Sequence, residues 1–185
     1  MNILAFADIR TSLELPDVQP DVILLLGDIP SLAVARIDRK YDCIKLGVLG
    51  NHCHPSVFSG TSVINMHEKT ILIKGISFAG FEGVPPYKDR PHGQRTEAEL
   101  QSFLNKVKNQ HIDIFIMHSN PSYGDKGLDD AHRGYQAITS FLFEKGITYL
   151  FHGHLHDPFI RKVEDTTIHS VYPYSWLPNL KLDKE

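Results

Sequence analysis

The segment Thr148–His156 has the sequence Thr-Tyr-Leu-Phe-His-Gly-His-Leu-His. In it a short apolar run is followed by three histidines within five residues. The run Thr148–Phe151 is apolar and uninterrupted, which is typical of a strand buried on both faces. His154 and His156 alternate along the chain, so they point to the same side if the backbone is extended. Imidazole is a common ligand of transition metals. This end of the strand is therefore a candidate metal site.

Four other apolar runs end in the same way, in a side chain that can bind a metal. They are Ile3–Ala7 before Asp8, Val22–Leu26 before Gly27-Asp28, Ile44–Leu49 before Gly50-Asn51-His52, and Ile112–Met117 before His118. Taken singly, each of these residues is more often a turn, cap or core residue than a ligand. Together they predict one site, because the ligand crevice of an open α/β sheet lies at the carboxyl ends of its strands. Carboxylate, amide and imidazole groups suit divalent ions, and two such ions can clamp a phosphate and activate a water.

Helical patterns and hairpins between these runs complete the predicted fold class. Thr96-Glu-Ala-Glu99 reads as a capping box ahead of an apolar face that ends at Val107, and further helices are predicted over Arg133–Lys145 and Ser31–Lys40. Hairpins are predicted at Thr70–Phe81 and Phe159–Val171. Strands that alternate with helices, with hairpins added, predict an α/β fold with mixed sheets.

Length and composition predict one domain over residues 1–185. The chain has 185 residues, of which 42% are hydrophobic and 22% charged, and its formal net charge is −3. This charge disfavours a nucleic-acid partner, since affinity for phosphate backbones rests on clustered Lys and Arg. No apolar run is long enough for a membrane span, and Met1–Asp8 reads as a strand rather than a signal peptide. Two cysteines form no disulfide framework, so we expect a reducing, cytoplasmic compartment, and the oligomeric state stays open.

The five strand-end motifs resemble those of the calcineurin-like metallophosphoesterase superfamily, whose pattern is Asp-x-His, Gly-Asp, Gly-Asn-His-(Asp/Glu), His and Gly-His-x-His. The chain resembles more locally the Icc-related branch of that superfamily, on segments such as His118-Ser-Asn-Pro121 and Val171-Tyr-Pro-Tyr174. The resemblance implies a four-layer α/β/β/α sandwich of two mixed sheets. It also implies a hydrolase that cleaves a phosphomonoester or phosphodiester with a metal-activated water.

The resemblance further implies a role for each matching residue. Asp8, Asp28 and His156 would hold a first metal, and Asp28, Asn51, His118 and His154 a second, with Asp28 bridging. His52 would be catalytic, contacting the phosphate and protonating the leaving oxygen. One or two divalent ions are expected, manganese or iron, with zinc or nickel as alternatives.

The sequence departs from the family pattern at Arg10, which stands where the pattern has a histidine ligand. An arginine stays protonated and does not ligate as imidazole does. Three interpretations are open: a single metal with Arg10 binding and stabilising the phosphate, two metals with Arg10 turned away, or a non-catalytic binding scaffold. A second departure is Cys53, which replaces the usual acidic residue and reads as a small buried side chain or an oxidation-sensitive thiol.

Substrate contacts outside the motifs are harder to predict. Arg133 precedes a helix and is a candidate substrate-binding residue, although a pairing with Asp129 or Asp130 is the alternative. The polar segment Pro85–Arg95 is a candidate specificity loop over the crevice, or a plain surface loop. Among enzymes the alternative function is a nuclease, and the sequence does not choose between a monoester, a diester, a cyclic nucleotide and a phosphoprotein.

Overall fold

The computed structural model describes residues 1–89, 92–124 and 128–182, and in these ranges the chain forms two β-sheets and three helices. The strands are β1 (Ile3–Phe6), β2 (Val22–Leu25), β3 (Ile44–Gly47), β4 (Ile64–Asn65), β5 (Lys69–Ile73), β6 (Ile76–Phe81), β7 (Ile114–Met117), β8 (Tyr149–His152), β9 (Phe159–Val163), β10 (Thr166–Ser170) and β11 (Tyr174–Leu177). The helices are α1 (Ser31–Lys40), α2 (Glu97–Val107) and α3 (Gln136–Lys145).

Both sheets are mixed, as predicted. The first sheet has the order β11-β1-β2-β3-β4, with β11 antiparallel to β1 and the other pairs parallel. The second has the order β5-β6-β7-β8-β10-β9, in which the two outer pairs are antiparallel hairpins and the inner strands are parallel. The parallel strands of each sheet therefore end at one edge.

The two sheets pack face to face around an apolar core. Side chains such as Ala5 and Leu24 from the first sheet meet Phe78, Ile114 and Ile116 from the second, and all of them are fully buried. Because β1, β2 and β7 are covered on both faces, every residue in them is buried, which explains their uninterrupted apolar sequence.

Helices cover the outer face of each sheet, which gives the four-layer α/β/β/α sandwich. Ala33, Val34 and Ile37 of α1 pack on the first sheet. Apolar residues of α2 and α3 pack on the second sheet. None of the helices in the described ranges is long and apolar enough to cross a membrane.

The predicted capping box is present at the start of α2. The Thr96 hydroxyl accepts a hydrogen bond from the Glu99 main-chain N–H at 3.2 Å, and the Glu99 carboxylate accepts one from the Thr96 N–H at 2.6 Å. The neighbouring acid Glu97 contacts a different helix, because its carboxylate accepts hydrogen bonds from the main-chain N–H groups of Gln136 and Ala137. The start of α3 is thus capped by a side chain from α2.

The structure differs from the predicted elements at three places. The predicted helix over Arg133–Lys145 begins at Gln136, because Gly134 has a left-handed φ of 73° and the Tyr135 N–H donates to the Asn120 carbonyl instead. The short strand β4 was not predicted. The strand β11 (Tyr174–Leu177), which pairs with β1 at the edge of the first sheet, was not predicted either.

Candidate metal centre

The carboxyl ends of strands from both sheets meet at one point and bring the predicted ligands together there. The first sheet places Asp8 after β1, Asp28 after β2 and Asn51 after β3. The second sheet places His118 after β7, and His154 and His156 after β8. Apart from His154 and His156, these residues are far apart in the sequence. The packing of the two sheets brings them together.

Asp8, Asp28 and His118 form the heart of the centre, with one ligand atom of each lying within 4.8 Å of the others. The His118 ring is fully buried; its Nε2 lies 3.4 Å from Asp28 Oδ2. Its other nitrogen, Nδ1, lies 2.7 Å from the Leu26 carbonyl oxygen. Metal-binding histidines characteristically donate their second ring N–H to such a carbonyl, which fixes the tautomer and aims the free nitrogen. This donor set therefore fits a divalent cation.

Asn51 turns its amide oxygen towards the same point. Its Oδ1 lies 3.0 Å from His118 Nε2, while its Nδ2 donates a hydrogen bond to the Tyr87 hydroxyl at 3.0 Å. Tyr87 belongs to the predicted specificity loop, of which residues 90 and 91 lie outside the described part of the chain. The contact of Tyr87 with Asn51 was not predicted. It joins a loop of the first sheet to a loop of the second sheet, and no spacing in the sequence indicates such a contact. It fixes which end of the amide faces the centre.

His154 and His156 approach the centre from the end of β8. The His154 main-chain N–H donates to Asp8 Oδ2 at 2.7 Å, and its Nε2 lies 2.8 Å from the Ala131 carbonyl oxygen, which leaves Nδ1 as the candidate ligand atom. His156 Nε2 lies 3.2 Å from Asp8 Oδ1. Both histidines adopt positive φ angles, 71° and 54°, a backbone conformation found more often at functional sites.

The electrostatics of this centre favour a cation among ionised carboxylates. Burial opposes the charge of Asp28, but attraction and hydrogen bonding by His118 and the His52 N–H outweigh it and lower the pKa of Asp28 to about 2. Burial likewise opposes charge on His118, yet the adjacent Asp28 and Asp8 raise its pKa to about 9, so a bound cation would replace the proton on Nε2. Burial and the nearby His118 lower the pKa of His154 to about 3, which keeps this ring neutral. A neutral imidazole is the form that binds a metal.

Two glycines beside the centre are required by close packing. A Cβ on Gly27, whose φ is 93°, would lie 2.5 Å from His118 Nδ1. A Cβ on Gly50 would overlap the Asp28 carboxylate. The Gly-Asp and Gly-Asn pairs therefore keep the backbone close to the acidic and imidazole groups.

His52 lies beside the centre and is exposed to solvent. Its main-chain N–H donates to Asp28 Oδ1 at 2.7 Å, and its side chain is exposed. The next residue, Cys53, lies beneath it, and its sulfur accepts hydrogen bonds from the Asp28 and Gly50 N–H groups at 3.2 and 3.3 Å. Burial raises the pKa of the Cys53 thiol, so it serves the loop as a neutral acceptor.

The two predicted arginines lie outside this ligand cluster. Arg10 is exposed, and within the described ranges its guanidinium forms no ion pair with Asp8 or Asp28. Arg133 Nη2 donates to the Pro86 carbonyl at 3.0 Å, and its Nη1 lies 3.8 Å from Asp130 Oδ1. The Asp130 pairing that the sequence left open is thus present, and Arg133 braces the loop that carries Tyr87.

A four-layer sandwich with a cluster of acids and histidines at its strand ends defines a class of metal-binding proteins. The model of the calcineurin-like phosphoesterase family matches residues 3–158, and the chain belongs to this family. The placement in the Icc-related branch stays a prediction.

Known structures and sequences agree with this fold. A phosphopantetheinyl hydrolase from Mycobacterium tuberculosis is similar with a TM-score of 0.68 at 11% identity, over 100% of this chain and 98% of that one. The protein TT1561 of Thermus thermophilus is similar with a TM-score of 0.63 at 18% identity, over 91% and 88%. An uncharacterized protein of Haemophilus influenzae is 23% identical over 82% of this chain and 76% of its own length.

Proposed function

We propose that this protein is a metal-dependent phosphoric ester hydrolase. The observation that carries the proposal is the cluster of Asp8, Asp28 and His118, whose ligand atoms lie within 4.8 Å while a carbonyl holds the histidine ring from behind. Membership of the calcineurin-like phosphoesterase family supports the same reaction class.

The ligand set supports one or two divalent ions. Asp28, Asn51, His118 and His154 would hold one ion, and Asp8, Asp28 and His156 the other. A bound ion supplies positive charge to the phosphoryl oxygens and activates water for attack on phosphorus. The family resemblance favours manganese or iron, with zinc or nickel as alternatives, and the ligand types alone do not choose among them.

His52 is the proposed general acid. Its main-chain N–H is held on Asp28, and its side chain is exposed. In this position the ring can donate a proton to the leaving oxygen of the substrate. Arg10, exposed at the end of β1, is proposed to bind the phosphate, since its guanidinium is not paired with the carboxylates of the centre in the described ranges. Arg133 is proposed to contact the substrate beside the loop that it braces.

Replacing His52 tests this proposal. We expect His52→Ala to lower kcat on a generic aryl phosphate by about a hundredfold or more, because it removes the proton donor. Bound Mn²⁺, measured by elemental mass spectrometry after desalting, should stay the same, because the ring is not proposed as a ligand. His54→Ala is the matched control, since His54 is also exposed and its ring lies 2.7 Å from Ser56 Oγ of the same loop.

The outcomes separate the candidate functions. Full activity in His52→Ala would contradict the assigned role of His52. Absence of hydrolysis by the Mn²⁺-loaded wild-type protein on monoesters and diesters would instead favour the non-catalytic scaffold. A cytoplasmic location and the absence of membrane and nucleic-acid partners stay predictions. Cys43 and Cys53 are both free thiols in the structure.

A further inference from the structure

A pocket of about 530 Å³ lies beside the candidate metal centre, on the side of the second sheet. This volume lies in the range of small-molecule sites. Six of its lining residues matter for what it can bind: Tyr123, His132, Leu155, Asp157, Phe159 and Arg161.

The pocket adjoins the metal centre. His132, which lines the pocket, stacks on the ring of the proposed ligand His154 with centroids 4.6 Å apart and planes 26° apart. Leu155, another lining residue, stands between His154 and His156 in the sequence. A leaving group attached to a phosphate at the centre can therefore reach this pocket.

One wall of the pocket is built from aromatic rings and a guanidinium. The Arg161 guanidinium lies 4.3 Å from the centroid of Tyr123 and 5.4 Å from that of Phe159. The two rings meet edge to face with centroids 6.0 Å apart. The Tyr123 hydroxyl lies 3.0 Å from Nε2 of the fully buried His152, which fixes the orientation of the ring. The wall thus offers aromatic and guanidinium faces in different orientations, and the Tyr123 ring is held in place from behind.

We infer that this pocket binds a planar aromatic leaving group, so that the preferred substrates are phosphate esters that carry a nucleobase-like ring. The inference rests on the proposed hydrolase function. Flat rings stack on aromatic and guanidinium faces, and the exposed Asp157 offers an acceptor to the polar edge of a heterocycle. In the reaction the ester P–O bond breaks as the oxygen of water bonds to phosphorus, and a proton ends on the leaving alcohol.

Matched substrate pairs test the inference without changing the reactivity of the leaving group. Adenosine 5′-phosphate and ribose 5-phosphate share a primary leaving oxygen, as do 2-naphthylmethyl phosphate and cyclohexylmethyl phosphate. We expect kcat/KM of the Mn²⁺-loaded protein to be about tenfold higher for adenosine 5′-phosphate than for ribose 5-phosphate. Preference in both pairs indicates recognition of any flat ring, and preference in the nucleotide pair alone indicates recognition of the heterocycle. Equal values in both pairs would overturn the inference.

Two variants connect the preference to the pocket. Phe159→Leu removes the ring but keeps an apolar side chain, and Arg161→Gln removes the guanidinium; we expect each to lower the preference to about threefold or less. Ile160→Leu and Lys162→Gln are the matched controls, because they alternate with these residues along β9 and do not line this pocket. An unchanged preference in both test variants would contradict the assignment.

A binding measurement separates this inference from the proposed function. The non-hydrolysable 5′-phosphonate analogues of the first pair are followed by saturation-transfer NMR. If the wild-type protein hydrolyses none of the esters, the proposed function fails, while adenosine phosphonate binding that weakens in Phe159→Leu still supports the pocket. Equal binding of the two phosphonates would overturn the pocket assignment.

Discussion

At the scale of single residues, Arg10 is the clearest departure from the family pattern. The histidine that the pattern carries would add a neutral ligand beside Asp8, whereas Arg10 adds a permanent charge. The exposed position of Arg10 and the 3.2 Å approach of His156 to Asp8 leave the three remaining ligands of the first site in place. The number of bound ions and the role of Arg10 stay predictions, which a metal titration tests.

Restoring the histidine tests this reasoning. We expect Arg10→His to lower the dissociation constant of the more weakly bound Mn²⁺ by about tenfold, since it replaces a positive charge with a ligand. Equilibrium dialysis followed by elemental mass spectrometry measures the number of ions per chain at each Mn²⁺ concentration. Arg10→Gln serves as the control, because it removes the charge without adding imidazole. Identical titrations for all three proteins would contradict a weakened first site.

At the scale of elements, the capping box of α2 couples two helices. Thr96 and Glu99 satisfy N–H groups at the start of α2, and Glu97 in the same turn caps α3. The two helices together cover the outer face of the second sheet. A local sequence motif therefore stabilises a whole layer.

Removing the cap hydroxyl should weaken this layer. We expect Thr96→Ala to lower the free energy of unfolding by about 1 kcal/mol, because the Glu99 N–H loses its acceptor. Urea unfolding followed by circular dichroism measures the difference. Ser102→Ala, at an exposed position inside the same helix, is the control, and it should be neutral. An equal loss in both variants would argue against a specific capping contribution.

The elements that were predictable from the sequence are those whose signal is local. The five buried runs and the Thr96 box carry their pattern within a few residues, and the ligand positions followed from the strand ends. β11 was not predictable, since Tyr-Ser-Trp-Leu becomes a strand only by pairing with β1 at the other end of the chain. The contact of Tyr87 with Asn51 and the Glu97 cap of α3 likewise depend on tertiary packing.

At the scale of the whole molecule, the segment after the family match completes both sheets. The family model ends at residue 158, yet β9 and β10 form one edge of the second sheet and β11 forms one edge of the first. His169 of β10 is buried against Phe151, with ring centroids 4.8 Å apart and planes 17° apart. Burial lowers the pKa of His169 from its ordinary 6.5 to about 4.

This buried histidine should make the stability of the protein depend on pH. Between pH 6.5 and 4 the unfolded chain binds a proton at position 169 that the folded chain excludes, so stability is full above about pH 6.5 and falls as the pH drops towards 4. We expect the loss of unfolding free energy between pH 7 and 4.5 to be about 2 kcal/mol smaller in His169→Phe than in the wild type.

Urea unfolding of the chelator-treated protein at the two pH values measures this difference. Buried histidines whose pKa does not depend on His169, such as His154, titrate in both proteins and cancel in the comparison. His54→Phe, an exposed position, is the control and should keep the wild-type pH dependence. The same pH dependence in His169→Phe and wild type would contradict the contribution of His169.

The assembly of the metal centre from distant strand ends has a consequence for biosynthesis. Asp8 emerges from the ribosome early, and His154, from whose N–H Asp8 accepts a hydrogen bond, follows 146 residues later. The strand β11, which pairs with the outer edge of β1, comes later still. Synthesis runs from the amino terminus, so a nascent chain carries its first acidic residues long before the imidazoles that complete the site. The proposed ion can therefore bind in this geometry only after residue 156 has been synthesised.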